Sequence, residues 1–261
     1  MLTCYDTWTA KLIDEQTVDC VLVGDSVAMV MHGYENTIHA TLDMMVMHTR
    51  AVSKGIKRPL LVADMPFMSY RQGLEKAVEA AVQLMQAGAQ AVKLEGAKGN
   101  EAIIRHLVAS GIPVMGHLGL TPQSVHQLGG HKVQGKDEKR SLELQQEALD
   151  LQAWGCFAVV LECMPEQLAQ VVSESLLIPA IGIGAGRYVD GQVLVLQDML
   201  GCSGDFHPRF LQTFSEGSTV FGQSIGDYCQ AVRTGDFPQK RHCYEPLGSA
   251  AIEEKHHENI A

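Results

Sequence analysis

The chain has 261 residues, 46% of them hydrophobic and 19% charged, with a formal net charge of −10. That balance suits a folded domain with a substantial core and excludes a disordered chain, while the acidic excess argues against non-specific nucleic-acid binding and docking on an anionic membrane. Seven cysteines, an odd number without a Cys-x-x-Cys pair, point to reduced thiols in a cytoplasmic protein, and no stretch approaches the roughly 18 apolar residues of a membrane span.

In chain order, short apolar runs end on an acid or an imidazole: Thr3-Cys4-Tyr5-Asp6, Val21-Leu22-Val23-Gly24-Asp25, Leu60-Leu61-Val62-Ala63-Asp64, Ala91-Val92-Lys93-Leu94-Glu95, Pro113-Val114-Met115-Gly116-His117 and Val159-Val160-Leu161-Glu162. Helical periods alternate with them over 41–55, 73–88, 100–111, 141–155 and 165–177. Within 73–88, Leu74, Ala77, Val78, Ala81, Leu84 and Met85 share one face, and Gly88 supplies the stop. The stretch 118–136, with four glycines and Thr121-Pro122, reads as an irregular loop at the active face. Strands at 178–183 and 193–196 bring the total to about eight, followed by a helix over 218–234 and a polar tail, 250–261, expected to fray.

Buried, non-alternating strands separated by helices predict a parallel α/β fold, and roughly 250 residues suit a (β/α)8 TIM barrel; a doubly wound open sheet is the competing arrangement. One domain spanning 1–261 is expected. In a barrel every strand points its C-terminal end at one face, so polar residues that are far apart in sequence converge there. Asp25, Asp64 and Glu95 gathered in this way would repel unless a cation sat among them, and hard carboxylate oxygens suit Mg²⁺. Taken singly, Asp25 and Asp64 are each more simply read as turn or helix caps.

Lys93 is two residues before Glu95 and shares its strand face, which offers a salt bridge to Glu95, a clamp for a substrate carboxylate or enolate, or both at once. Glu162 either caps the helix beginning near Pro165 or takes a proton in the pocket. His117 is a second-rank candidate, since a lone histidine is more often structural. Gly182-Ile183-Gly184-Ala185-Gly186 departs from dinucleotide-binding spacing. Methionines 29, 31, 44, 45, 47, 65 and 68 read as core filling or as the wall of an apolar slot.

The segments Val23-Gly24-Asp25-Ser26, Ala63-Asp64-Met65-Pro66-Phe67-Met68, Val92-Lys93-Leu94-Glu95-Gly96, Gly116-His117-Leu118-Gly119-Leu120-Thr121-Pro122-Gln123-Ser124, Lys132-Val133-Gln134-Gly135, Leu161-Glu162 and Ile181-Gly182-Ile183-Gly184-Ala185-Gly186 together resemble ketopantoate hydroxymethyltransferases over about 3–237. The resemblance implies a phosphoenolpyruvate/pyruvate-domain-like barrel. It further implies transfer of a one-carbon (hydroxymethyl) unit from 5,10-methylenetetrahydrofolate to 3-methyl-2-oxobutanoate through a Mg²⁺-stabilised enolate, giving 2-dehydropantoate for pantothenate and coenzyme A synthesis. By position it makes Asp25, Asp64 and Glu95 the metal residues, Asp25, Ser26, Asp64 and Lys93 the oxoacid contacts, and Glu162 the proton acceptor. It also implies a homo-oligomer, typically a decamer, and an N-terminal capping helix that is absent ahead of Leu2. Two alternatives compete: a Mg²⁺-dependent 2-oxo acid carbon–carbon lyase of the isocitrate lyase or phosphoenolpyruvate mutase kind, which is expected to carry a Lys-Lys-Cys-Gly-His type loop that this chain lacks, and a folate-binding or assembly protein without turnover.

Overall fold

Eight short strands form at the apolar runs, which lack the polar alternation of a sheet with one wet face. In a computed structural model describing residues 1–204 and 208–244 they are β1 (Leu2–Thr3), β2 (Cys20–Val23), β3 (Leu60–Asp64), β4 (Ala91–Lys93), β5 (Val114–Gly119), β6 (Ala158–Glu162), β7 (Ala180–Ile183) and β8 (Gly191–Gln192). All pair in parallel and in sequence order. Closure comes from an isolated parallel bridge between Leu2 and Leu194, where the Thr3 amide donates to the Leu194 carbonyl at 3.1 Å. The expected (β/α)8 architecture is therefore present, and the doubly wound sheet is set aside.

Two compact units divide the chain, 1–215 and 216–261. All eight strands belong to the first. Within the second, a helix over Gly217–Thr234 stops at Gly235, whose φ of 79° is open to glycine at little cost. The tail expected over 250–261 lies outside the described residues.

Helices form where the 3.6-residue period predicts them: Leu42–Ser53, Leu74–Gln86, Glu101–Ala109, Glu138–Ala153 and Glu166–Ser175. Helix Glu138–Ala153 begins ahead of the expected 141 because the Asp137 carboxylate accepts from the Arg140 amide at 2.9 Å and caps it. Period-two alternation sorts the strand residues into two layers. Val21, Leu61, Val92 and Val159 meet the helices, whereas Leu22, Val62, Ala91, Met115, Ala158 and Val160 fill the barrel interior. Two residues beyond Val62, Met115 and Val160 come Asp64, His117 and Glu162, and Ala91 is followed at the same spacing by Lys93 and Glu95. All five polar residues thus face inward at the strand ends.

Two expectations need correction. The strand placed at 193–196 is not a ladder: the Leu194 carbonyl turns to β1, and the Leu196 amide is capped by Thr3 Oγ1 at 3.0 Å and opens a short helix, Leu196–Met199. The stretch 118–136 is more ordered than an irregular loop. β5 continues to Gly119, a 3₁₀ turn covers Pro122–Ser124, a helix covers Val125–Leu128, and the Gln134 amide is anchored on the Cys163 carbonyl at 2.8 Å.

Candidate active site

A cavity of about 500 Å³ opens at the C-terminal ends of the strands, bordered by Asp25, Ser26, Asp64, Lys93, Glu95, His117 and Glu162. Every residue singled out in the sequence as a site candidate is therefore gathered there. Asp25, Asp64, Lys93, Glu95 and His117 are each at most 5% exposed.

β3 and β4 are in register at Asp64 and Lys93, so the lysine's partner is Asp64 (Nζ to Oδ1, 2.8 Å) and not the Glu95 two residues along its own strand. Asp64 Oδ2 accepts from the Asp25 amide at 2.9 Å, which ties the turn after β2 to β3. Gly24 makes that turn fit, since a Cβ there would come 2.8 Å from Ser26 Oγ. Ser26 Oγ is also 2.7 Å from the Tyr5 hydroxyl.

Beyond the lysine the chain of contacts continues through the imidazole. Lys93 Nζ is 3.3 Å from His117 Nδ1, which is 3.5 Å from Glu95 Oε1, while His117 Nε2 is 3.1 Å from Glu162 Oε2. Glu162 thus does not cap the following helix, whose N-cap residue is Pro165 and has no side-chain bond. The close approach of β5 and β6 requires glycine at 119, where a Cβ would lie 2.1 Å from the Glu162 carbonyl oxygen.

Sequence reasoning missed Gln123, which ties three walls of the pocket together. Its Nε2 donates to Asp25 Oδ2 at 2.8 Å and to the Met65 carbonyl at 3.0 Å, its Oε1 accepts from the Tyr70 hydroxyl at 2.9 Å, and its amide donates to Glu95 Oε2 at 3.0 Å. The available signal was a long polar side chain just after Pro122, at the start of a turn that follows a histidine-bearing strand.

Electrostatics follow from this crowding. Burial, then the charges of Asp64 and Glu95, push the Asp25 carboxyl well above the usual carboxylate range, although Lys93 and Gln123 oppose them. Burial disfavours the charged form of Lys93, yet the three acids outweigh it and raise its pKa. Burial and Lys93 both oppose protonation of His117, but its hydrogen bonds to Glu162 and Glu95 prevail and set its pKa at about 9. Four carboxylates against one lysine and one imidazole leave room for added positive charge, and buried Glu95 Oε1 has only His117 Nδ1, at 3.5 Å, beside it. Among the described residues no three acidic, histidine or cysteine side chains form a ready-made chelating group. Those features fit a hard cation held by one or two carboxylates and completed by water and substrate, as Mg²⁺ is held, better than a closed all-protein cage.

The parallel eight-stranded barrel is similar in fold to solved structures that include a member of the phosphoenolpyruvate mutase/isocitrate lyase superfamily. The structure of a phosphonopyruvate hydrolase in complex with oxalate and Mg²⁺ is similar with a TM-score of 0.59 at 11% identity, covering 92% of this chain and 87% of that one. The 2,3-dimethylmalate lyase, a member of that superfamily, is similar with a TM-score of 0.54 at 14% identity, covering 91% and 82%.

Within that fold the chain belongs to the ketopantoate hydroxymethyltransferase family, whose model matches residues 1–240. It is 50% identical over 245 residues to the 3-methyl-2-oxobutanoate hydroxymethyltransferase of Francisella tularensis subsp. tularensis (strain FSC 198), covering 94% of this chain and 93% of that relative. It is 51% identical over 246 residues to the enzyme of the same name from Coxiella burnetii (strain Dugway 5J108-111), covering 94% and 92%. The lyase and the non-catalytic alternatives give way to a hydroxymethyltransferase. No helix among the described residues is long and apolar enough to cross a membrane.

Proposed function

We propose that the protein transfers the one-carbon unit of 5,10-methylenetetrahydrofolate to 3-methyl-2-oxobutanoate, with Asp25, Asp64 and Glu95 holding Mg²⁺ directly or through bound water and Glu162 accepting the substrate proton. The observation that carries this reading is the run Asp64, Lys93, His117 and Glu162, its first three members buried, in contact end to end across four strands at the mouth of one cavity. Mg²⁺, when bound, supplies Lewis-acid charge beside the 2-oxo group, which makes the neighbouring C–H more acidic.

The chain's own residues perform the rest. Lys93, held cationic by the acids around it, offers positive charge to the substrate carboxylate and to the anion that develops on deprotonation. Ser26, fixed by Tyr5, orients the oxoacid from the β2 side. Glu162 removes the proton from C3, and His117, in contact with both Glu162 and Glu95, holds the Glu162 carboxylate in place. The C3 carbanion then bonds to the methylene carbon of the donor as one of its two C–N bonds breaks, and water displaces the second nitrogen to supply the hydroxyl oxygen, with the proton taken from C3 and one proton of the water going to the two folate nitrogens. A cavity of about 500 Å³ lies within the roughly 300–1,000 Å³ range of sites for drug-sized ligands, more than the five-carbon oxoacid alone requires. Cytoplasmic location and a homo-oligomer, a decamer by the family resemblance, belong to the same proposal.

The test is to incubate the purified protein with both substrates and to follow 2-dehydropantoate with Mg²⁺ and with EDTA. Product that depends on both Mg²⁺ and the folate donor is expected. Full activity in EDTA would remove the metal assignment, and product formed without the folate would remove the donor.

A further inference from the structure

The cavity has a second polar wall that the transfer chemistry above leaves unused. It lies on the segment following β8, where the Leu194 carbonyl closes the barrel and Leu196–Met199 turns into a short helix, placing Gln197 and Asp198 on the lining. Asp198 is only 9% exposed. Burial pushes its carboxyl up and the Ser203 hydroxyl pulls it part of the way back, and among the described residues no cation acts on it. Gln197 is scarcely better provided: Nε2 reaches only the Met31 sulfur at 3.6 Å, a weak acceptor, and Oε1 is buried without a partner. Phe210 borders the same space and lies over Gly184, where a Cβ would come 2.9 Å from its ring.

A buried carboxyl with only the Ser203 hydroxyl on it and a carboxamide with an open acceptor are costly to leave under-satisfied, so the wall is complementary to a ligand that brings N–H donors. Negative charge at Asp198 would repel the oxoacid carboxylate, which finds its cation in Lys93. The ligand suited to the β8 wall is neutral and flat, with adjacent N–H groups on one edge and a ring face for Phe210.

We propose that Asp198 and Gln197 form the recognition site for the 2-amino-4-oxopyrimidine edge of the tetrahydropterin ring, with Asp198 accepting from the ring N3–H and the 2-amino group and Gln197 completing the edge. The assignment rests on the folate-donor reading and deepens it by naming which side of the cavity takes the pterin.

The experiment measures tetrahydrofolate binding by calorimetry on the full chain with Mg²⁺ and the oxoacid, in parallel with exchange of the oxoacid C3 hydrogen in deuterated water, which needs no folate. Asp198→Asn and Asp198→Ala should weaken tetrahydrofolate binding by about 10- to 100-fold while exchange stays within about twofold of the parent. The exchange also reports that each variant is folded. A 2-desamino analogue of tetrahydrofolate should bind the parent more weakly than tetrahydrofolate does, and Asp198→Ala should lose that discrimination. Parental tetrahydrofolate affinity in Asp198→Ala, or undiminished discrimination, overturns the assignment alone. Failure of the unaltered protein to bind tetrahydrofolate overturns the donor reading and this site with it.

Discussion

On the β3–β6 side of the cavity, Asp64, Lys93, His117 and Glu162 hold one another at 2.8 to 3.3 Å, whereas on the segment after β8 Asp198 and Gln197 border the same space with few bonds of their own. The first wall is fixed before any ligand arrives and presents both signs of charge to a small polar anion. Its neighbour keeps acceptors open and offers an apolar ring beside them. One cavity is thus sorted into a part suited to stabilising charge as it develops and a part suited to holding a larger neutral surface. In a barrel such division needs no second domain, because adjacent strand ends deliver different residue types to one mouth.

The comparison breaks most visibly at Asp64. Asp64→Ala would strand Lys93 as a buried unpaired cation, at about 3–5 kcal/mol, so Asp64→Asn is the cleaner variant. It keeps a hydrogen-bond acceptor for Lys93 and should lower turnover by on the order of 10³-fold while thermal unfolding stays cooperative, at a lower midpoint than the parent because the charge is lost. Normal turnover in the folded variant would reduce Asp64 to a structural role.

Gln123→Leu comes next, because it removes the bonds that aim Asp25 while sparing every charged group. An orienting residue of this kind is expected to change metal affinity or kcat/KM by about 10- to 100-fold, which Mg²⁺ titration and steady-state kinetics would register separately.

A smaller effect should appear in stability against pH. In metal-free protein the Asp25 carboxyl is raised by burial and by its acidic neighbours, and His117 is raised to about 9 by hydrogen bonds to Glu162 and Glu95 that outweigh burial and Lys93. The folded state therefore binds more protons than the unfolded chain across this range, so stability falls as pH rises. The His117 contribution is fully present below about pH 6.5 and is lost as pH passes 9. Urea midpoints in EDTA between pH 6.5 and 9.5 would record the decline, and stability rising with pH would contradict these signs.

Asp6 sets the lower limit. Its Oδ1 accepts from the Thr9 amide at 2.9 Å and its Oδ2 from the Thr9 hydroxyl at 2.7 Å, which makes it the N-cap of helix Thr7–Asp14. Asp6→Ala should cost about 1 kcal/mol in denaturant unfolding and leave C3–H exchange untouched.

Asp6 also shows what the sequence could and could not convey. It ends an apolar run as Asp25 and Asp64 do, and only structure separates the cap from the pocket residues. The barrel was legible because strand runs and helical periods alternate along the chain, and the gathering of Asp25, Asp64, Glu95, His117 and Glu162 followed from strand polarity alone. Pairing between strands was not legible, so the lysine's partner was expected on its own strand at Glu95, while register places Asp64 beside it. Gln123 and Asp198 lie on segments whose paths depend on tertiary anchors, the Cys163 carbonyl and Thr3 Oγ1 among them. The Val193–Leu196 run is apolar enough for a strand, but barrel closure ends the ladder before it.

The β3–β6 wall is proposed to remove the C3 proton without help from the folate side. Proton NMR of 3-methyl-2-oxobutanoate in deuterated water, with enzyme and Mg²⁺ and no folate, reads that step directly. Glu162→Gln keeps shape and hydrogen bonding but cannot accept the proton, so exchange should fall by about 10²-fold or more while oxoacid binding persists. Exchange at the parental rate in Glu162→Gln would contradict the account.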